Sequence, residues 1–267
     1  MKKEDKKDKK SFLFLLFLLI FLYSLISFLV VLIGYKSIDM AYERLGKSKV
    51  IIEKEIEIVP PIVTNDELLE GESLVKVEID WSNHSMVSRY WINIENNDVI
   101  NYPVVQSWDN EHYLNYMPDG TKSKAGSIFI DYRNNEFNDR HTILYGHNLK
   151  NGSMFSSIRN YQDEDYANKH RYVYITNRKG ETSLYYIFSC YLTDARGKNG
   201  HNAYEVSFNN ENWSKWLKRI QKESLISSNI EIPEDCQILT LSTCMSGNYK
   251  YERCVVHAIK VENIQQE

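Results

Sequence analysis

The feature that most constrains this chain is a run of 24 residues without a charge, SFLFLLFLLIFLYSLISFLVVLIG, from Ser11 to Gly34. As a helix it would span roughly 36 Å at about 1.5 Å per residue, enough to cross a bilayer core with some tilt. A buried helix of a soluble domain is rarely apolar on every face for so long. The rival is a cleaved signal peptide, whose apolar stretch is typically about 7 to 15 residues and closes on small residues of the A-x-A kind. Nothing after Leu32 has that pattern. The run at 11–34 therefore reads as an uncleaved transmembrane signal anchor. Residues 1–10 hold six lysines against Glu4, Asp5 and Asp8, a net of +3. The positive-inside bias keeps this tail in the cytoplasm and sends the rest of the chain outside, a single-pass arrangement at the cell membrane.

That division changes the meaning of the charge. The 267 residues carry a formal net of -4 from 32 basic and 36 acidic residues, of which six and three lie in the tail, so everything beyond Gly34 is at -7. An acidic body argues against a nucleic-acid binder, which relies on attraction to phosphates. Residues 35–74 read as an extracellular stalk and helical lead-in, with Ile51, Ile52, Ile56 and Ile58 and a Pro60-Pro61 break that stops any continuing helix.

Residues 75–267 are long enough for one domain with a sizeable core. Short β-rich runs recur through it: YWINI (90–94), INYPVV (100–105), SIFID (127–131), TILYG (142–146), RYVYITN (171–177), TSLYYIFSCYLTD (182–194), CQILTLST (236–243) and CVVHAIKV (254–261). Eight such strands separated by turn residues predict a mainly β fold, closed or nearly closed into a barrel. One segment differs. Trp213, Trp216, Leu217 and Ile220 recur at i, i+3, i+4 and i+7, which predicts an amphipathic helix packed on the barrel wall.

The four cysteines are Cys190, Cys236, Cys244 and Cys254. An even count in an exported chain first suggests disulfides, and the spacing leaves a bridge among Cys190, Cys236 and Cys254 open. No pair has the CxxC spacing and no neighbouring histidines complete a zinc pattern, so neither metal nor cofactor is expected. Cys190 and Cys254 lie in apolar strands and read as buried, inert thiols. Cys244 ends the run ILTLST and precedes Met245, Ser246, Gly247 and Asn248, where a strand gives way to a loop. A thiol there meets solvent and needs only a base or a cation beside it to become a nucleophile; position alone leaves it open between nucleophile and structural thiol.

Of seven histidines, His147 follows the strand TILY between Gly146 and Asn148, again at a strand end. An imidazole there is both held and accessible. His257 sits inside an apolar strand and reads as structural. Arg253 lies nine residues after Cys244, close enough for an antiparallel hairpin to bring its guanidinium beside the thiol, where it could bind a developing oxyanion.

Together TLSTC (240–244), the downstream RCVVHA from Arg253 and LYGHN around His147 resemble the Cys, His and Arg constellation of sortases. The likeness extends through NYPVVQSWDNEHYLNY (101–116), KSKAGSIFIDYRN (122–134) and HTILYGHNLKNGSMFSSI (141–158), and looks like class B. The resemblance implies a cysteine transpeptidase anchored in the membrane of a Gram-positive bacterium. The fold it implies is an eight-stranded sortase β-barrel with N-terminal helices and a helix between the sixth and seventh strands. It also implies that Cys244 is the nucleophile, His147 the general acid and base, and Arg253 the oxyanion or substrate-orienting group, with Asn110, Leu114 and Ser242 lining the groove for a sorting signal.

The implied partners are exported proteins bearing that signal and a peptidoglycan precursor amine. Two neighbouring activities are an exported cysteine peptidase or amidase that releases the acyl group to water, and a sortase that polymerises pilins. A membrane-anchored binding module with a structural Cys244 is the reading from another class.

Overall fold

In this computed structural model residues 4–46, 49–53, 75–97, 100–197, 202–244 and 251–264 are described. They fall into two compact units, Met1–Glu43 and Arg44–Glu267. The first is helical: α1 runs Glu4–Gly46 and contains the 23-residue stretch Phe12–Gly34, with a mean hydropathy of 3.0 and none of it buried. By length and composition this stretch suits a membrane span, and a signal sequence near an N-terminus would pass the same test.

The expected helical lead-in holds as far as Gly46, where α1 ends, and then gives way to a strand. β1 (Lys49–Glu53) pairs antiparallel with β2 (Val75–Ile79), Ile51 opposite Val77. Ile51 and Ile52 are therefore in a strand and not in a helix. The reason is local: Val50, Ile51 and Ile52 are consecutive β-branched residues, stiff at χ1 and better suited to extended backbone. The Pro60-Pro61 break, Ile56 and Ile58 lie outside the described residues. So does most of the stretch where N-terminal helices of the domain were expected; between β2 and the barrel the described helical element is the 3-10 turn Trp81–Asn83.

The barrel itself has the eight strands read from the sequence. They are β3 (Tyr90–Ile94), β4 (Asn101–Gln106), β5 (Ile128–Ile130), β6 (His141–Tyr145), β7 (Tyr172–Asn177), β8 (Thr182–Asp194), β9 (Ile238–Cys244) and β10 (Glu252–Ile264). They close in the order β10-β8-β7-β3-β4-β5-β6-β9. Trp91, Ile92, Val104, Ile143, Leu241 and Val256 are among the residues with no exposed surface. Closure removes the free edges that an open sheet of this length would present.

Two pairings are parallel, β4 with β5 and β6 with β9. A parallel neighbour cannot be reached by a tight turn, so β4 and β5 are joined by a long crossover over residues 107–127. Within the crossover lies the 3-10 turn His112–Leu114.

After the short helix α2 (Glu164–Lys169), the helix expected from the Trp213 periodicity is α3 (Asn210–Lys222), between the sixth and seventh barrel strands. The Asn209 side chain accepts from the Asn212 N–H at 2.8 Å and caps it. Trp213, Trp216, Leu217 and Ile220 are all buried, against Phe188, Tyr191, Ile238, Val255 and Ile259 of the barrel wall. Each such side chain contributes about 1.5 to 3 kcal/mol on burial, which fixes the helix, and the connection that carries it, to the wall.

Beneath this helix His141 and His257 are fully buried on either side of Thr240. His141 Nε2 lies 2.6 Å and His257 Nδ1 2.7 Å from its hydroxyl, with Tyr191 3.2 Å from His257 Nε2. Cys190, Cys236 and Cys254 are buried thiols, the Cys190 and Cys254 sulfurs 3.7 Å apart. The Cys254 thiol and burial together push Cys190 up, and burial pushes Cys236 up to about 12.

Candidate active site

The parallel seam between β6 and β9 sets the site. Parallel strands end at the same side, and here Tyr145 pairs with Ser242. Two residues beyond that pair stand His147, just after the end of β6, and Cys244, the last residue of β9, so both lie at the same barrel rim. The antiparallel seam between β9 and β10 then puts Arg253 directly opposite Cys244. Two strand registers thus bring His147 to the same rim as Cys244 and Arg253, about a hundred positions further along the chain.

Next to them is a cleft of about 350 Å³. His147, Arg253, Asn110, Leu114 and Ser242 all line it, together with Phe129, Tyr145, Gly146, Ala195, Tyr204 and Thr243. Of the six residues singled out in the sequence, five border this one cleft. Cys244 is described through its backbone position at the end of β9.

His147 is held from several sides. Its Nε2 lies 2.8 Å from the carbonyl oxygen of Leu114. A carbonyl only accepts, so Nε2 carries a proton and donates, which leaves Nδ1 as the ring nitrogen that can exchange one. The backbone is clamped too. Phe155 N–H donates to the His147 carbonyl at 2.9 Å, Gly146 N–H donates to Ser242 at 3.2 Å, and the Thr243 hydroxyl donates to the Gly146 carbonyl at 2.9 Å.

The crossover supplies Asn110 and Leu114. It turns tightly at Gly126, whose φ of +59° is left-handed. A Cβ at that position would meet the Tyr113 carbonyl oxygen at 2.5 Å and the Leu114 carbonyl oxygen at 2.8 Å. Only glycine lets the chain pass so close to the carbonyl that holds His147.

One wall of the cleft is polar. The Tyr204 and Ser242 hydroxyls are 3.0 Å apart. Tyr145 donates its hydroxyl to Asp131 at 2.8 Å, and burial followed by the neighbouring Asp131 carboxylate raises the phenol far above its ordinary range. Leu114 and the buried Phe129, whose ring centroid is 5.4 Å from that of Tyr145, add apolar lining. Such a cleft suits an extended peptide, with polar groups for its backbone and an apolar pocket for a side chain.

Sequence reading missed Tyr145, Tyr204 and Asp131. Tyr145 carried a signal, since it precedes Gly146-His147 at a strand end. Tyr204 lies in the long connection between β8 and β9, where no periodicity or motif marks it.

The family model described as Sortase domain matches residues 92–261. A sortase B of Listeria monocytogenes is 37% identical over 173 residues, 62% of this chain and 66% of that protein. The solved sortase B of Clostridium perfringens is 35% identical with a TM-score of 0.60, over 65% of this chain and 93% of that one. A Staphylococcus aureus sortase B-substrate complex is 30% identical with a TM-score of 0.59, over 66% of this chain and 80% of that one.

Proposed function

This chain belongs to the sortase family, whose members are cysteine transpeptidases, and to its class B, and from that premise we propose that it cleaves a C-terminal sorting signal after threonine and joins the released protein to a peptidoglycan amine. Cys244 is the nucleophile, His147 the general acid and base, and Arg253 the cation that answers the developing oxyanion. Asn110, Leu114 and Ser242 line the path of the signal. The observation that carries the reading is the pair of registers that brings His147 to the same rim as Cys244 and sets Arg253 opposite that cysteine, at the end of a peptide-sized cleft.

In the first half-reaction the Cys244 thiol passes its proton to His147 Nδ1, the resulting thiolate adds to the threonine carbonyl carbon, and negative charge gathers on the carbonyl oxygen beside Arg253. The tetrahedral adduct collapses, the C–N bond breaks, and His147 passes its Nδ1 proton to the departing amine while Nε2–H stays on Leu114. A thioacyl enzyme remains. In the second half-reaction an amine adds to the thioester carbon, His147 takes its proton, and the C–S bond breaks to give a new amide and free Cys244.

The apolar stretch Phe12–Gly34 anchors the chain, with the lysine tail inside and the catalytic domain outside. An enzyme held at the outer face meets exported proteins and wall precursors at raised effective concentration, which favours transfer over hydrolysis.

The test incubates the full-length chain in detergent with peptides of the Asn-Pro-x-Thr-Asn and Pro-Pro-x-Thr-Gly kind and an oligoglycine amine, and reads the products by mass. The expected product is the new amide. Carboxylic acid alone, even at high amine, would assign the chain to the hydrolases.

A further inference from the structure

We infer that Asp131 is a positioning residue for the sorting-signal cleft, its buried carboxylate setting Asn110, Tyr145 and, through Arg133, the Tyr204 segment as one polar wall. This inference deepens the transpeptidase reading above and rests on it.

Asp131 follows β5 directly and has no exposed surface. Its carboxylate collects five donors. Oδ1 accepts from the Arg133 N–H and Nε, both at 2.9 Å. Oδ2 accepts from Arg133 Nη2 at 2.8 Å, from Asn110 Nδ2 at 3.0 Å and from the Tyr145 hydroxyl at 2.8 Å. A buried carboxylate is tolerated only when its charge is paired and its lone pairs are filled, and here both conditions hold. Burial alone would raise the carboxyl, but Arg133 and Tyr145 outweigh it and hold Asp131 below the ordinary carboxylate range, so it remains an acceptor at neutral pH.

The donors come from three separate parts of the chain that meet at the cleft. Asn110 belongs to the crossover between β4 and β5, Tyr145 ends β6, and Arg133 gives Nη2 also to the Tyr204 carbonyl at 2.9 Å, in the connection between β8 and β9. Asn110 is oriented at both ends, since its Oδ1 accepts the Tyr132 N–H at 3.0 Å while Nδ2 faces Asp131. That leaves one amide N–H and one lone pair of Asn110 to meet a peptide backbone. Asp131 touches no reacting atom; its effect is to fix which way three cleft residues face. Replacement by an amide of the same shape removes the charge and sets an N–H against donors already there.

The experiment uses the full-length chain in detergent and whichever of the two sorting-signal peptides the wild type cuts. Asp131→Asn is expected to raise KM about tenfold, the order of effect of losing one charge-assisted hydrogen bond. The expected kcat stays within about threefold, since the Cys, His and Arg geometry lies elsewhere. Alkylation of Cys244 by iodoacetamide should keep its wild-type rate. Tyr145→Phe should raise KM as well, and the double variant should fall short of the product of the two single effects, because both act through one hydrogen bond.

An unchanged KM, or a turnover loss that merely follows the folded fraction, would overturn the inference, as would single effects that multiply. Should Asp131→Asn fail to fold, Tyr145→Phe decides: a raised KM with the melting temperature kept supports the assignment, and an unchanged KM refutes it. A wild-type chain that cuts neither peptide refutes the transpeptidase reading and this inference with it, whereas a wild type that cuts, with variants unaltered, refutes this inference alone.

Discussion

Gly146→Ala tests whether the barrel seam positions His147, the proposed general acid and base. A Cβ built at Gly146 would lie 2.5 Å from Ile128 Cδ1 and 2.6 and 2.7 Å from Phe155 Cγ and Cδ2. Ordinary carbon contacts are about 3.5 to 4.0 Å, so the new methyl overlaps three atoms by about 1 Å. Neither neighbour has room to yield, Ile128 being 1% exposed and Phe155 0%. Overpacking of this kind costs about 1 to 3 kcal/mol, and at about 2 to 4 °C per kcal/mol for a domain of this size the melting temperature should fall by about 2 to 12 °C.

The strain has one outlet. Gly146 is bonded through its N–H to Ser242 and through its carbonyl to Thr243, so relief moves the β6–β9 seam and carries His147 with it. A shift of about 1 Å in a catalytic group can cost about a hundredfold, and kcat/KM should drop by about ten- to a hundredfold. Thermal melting and peptide cleavage by the full-length chain read the two effects. Phe155→Ala in the same chain frees the space, so the double variant should be less destabilised than the two single losses combined. A Gly146→Ala chain that melts and turns over like wild type would refute the packing argument.

Three further outcomes are expected. Gly126→Ala forces an L-residue into a left-handed conformation at about 1 to 2 kcal/mol and presses on the carbonyl that holds His147; a melting temperature and kcat equal to wild type would show that this contact is dispensable. Cys244→Ala should abolish formation of the thioacyl enzyme by mass, while Arg253→Ala should keep about one hundredth of the rate, the loss of on the order of 3 kcal/mol for one oxyanion donor. Burial pushes His141 down to about 4 and His257 well below the usual imidazole range, so both stay neutral in the folded chain and gain protons on unfolding below about pH 6.5. Depressed native values place this stability above the unfolded pKa and withdraw it as pH falls: from pH 7 to pH 5 His141 alone should cost about 2 kcal/mol, with His257 adding the same sign. Melting curves at the two pH values check this, and identical midpoints would contradict it.

The sequence by itself determined what depends on neighbours close along the chain. The uncharged run to Gly34 and its lysine flank are properties of composition, and α1 contains the whole of it. Alternating and β-branched runs marked all eight barrel strands, YWINI and TSLYYIFSCYLTD to the residue, because a strand is written in residues two apart. The Trp213 helix is written three and four apart, and it formed as read. Cys244, His147 and Arg253 stood out because each sits at a strand end beside a loop and within a family-like motif.

Only the tertiary structure decided how these pieces meet. His147 and Cys244 are about a hundred positions apart, and a parallel register between β6 and β9 brings them to the same rim; a shift by one residue would leave every local pattern intact and break the site. Asp131 looked like any acidic residue at a strand end until barrel closure wrapped Asn110, Tyr145 and Arg133 around it. Tyr204 reaches the cleft because α3 fastens its connection to the wall, and the pairing of the β-branched run at Ile51 and Ile52 with Val75–Ile79 was likewise chosen across the intervening chain. Periodicity records which face of an element is apolar, while register, closure and the filling of a buried carboxylate's lone pairs are long-range choices made only when the elements pack.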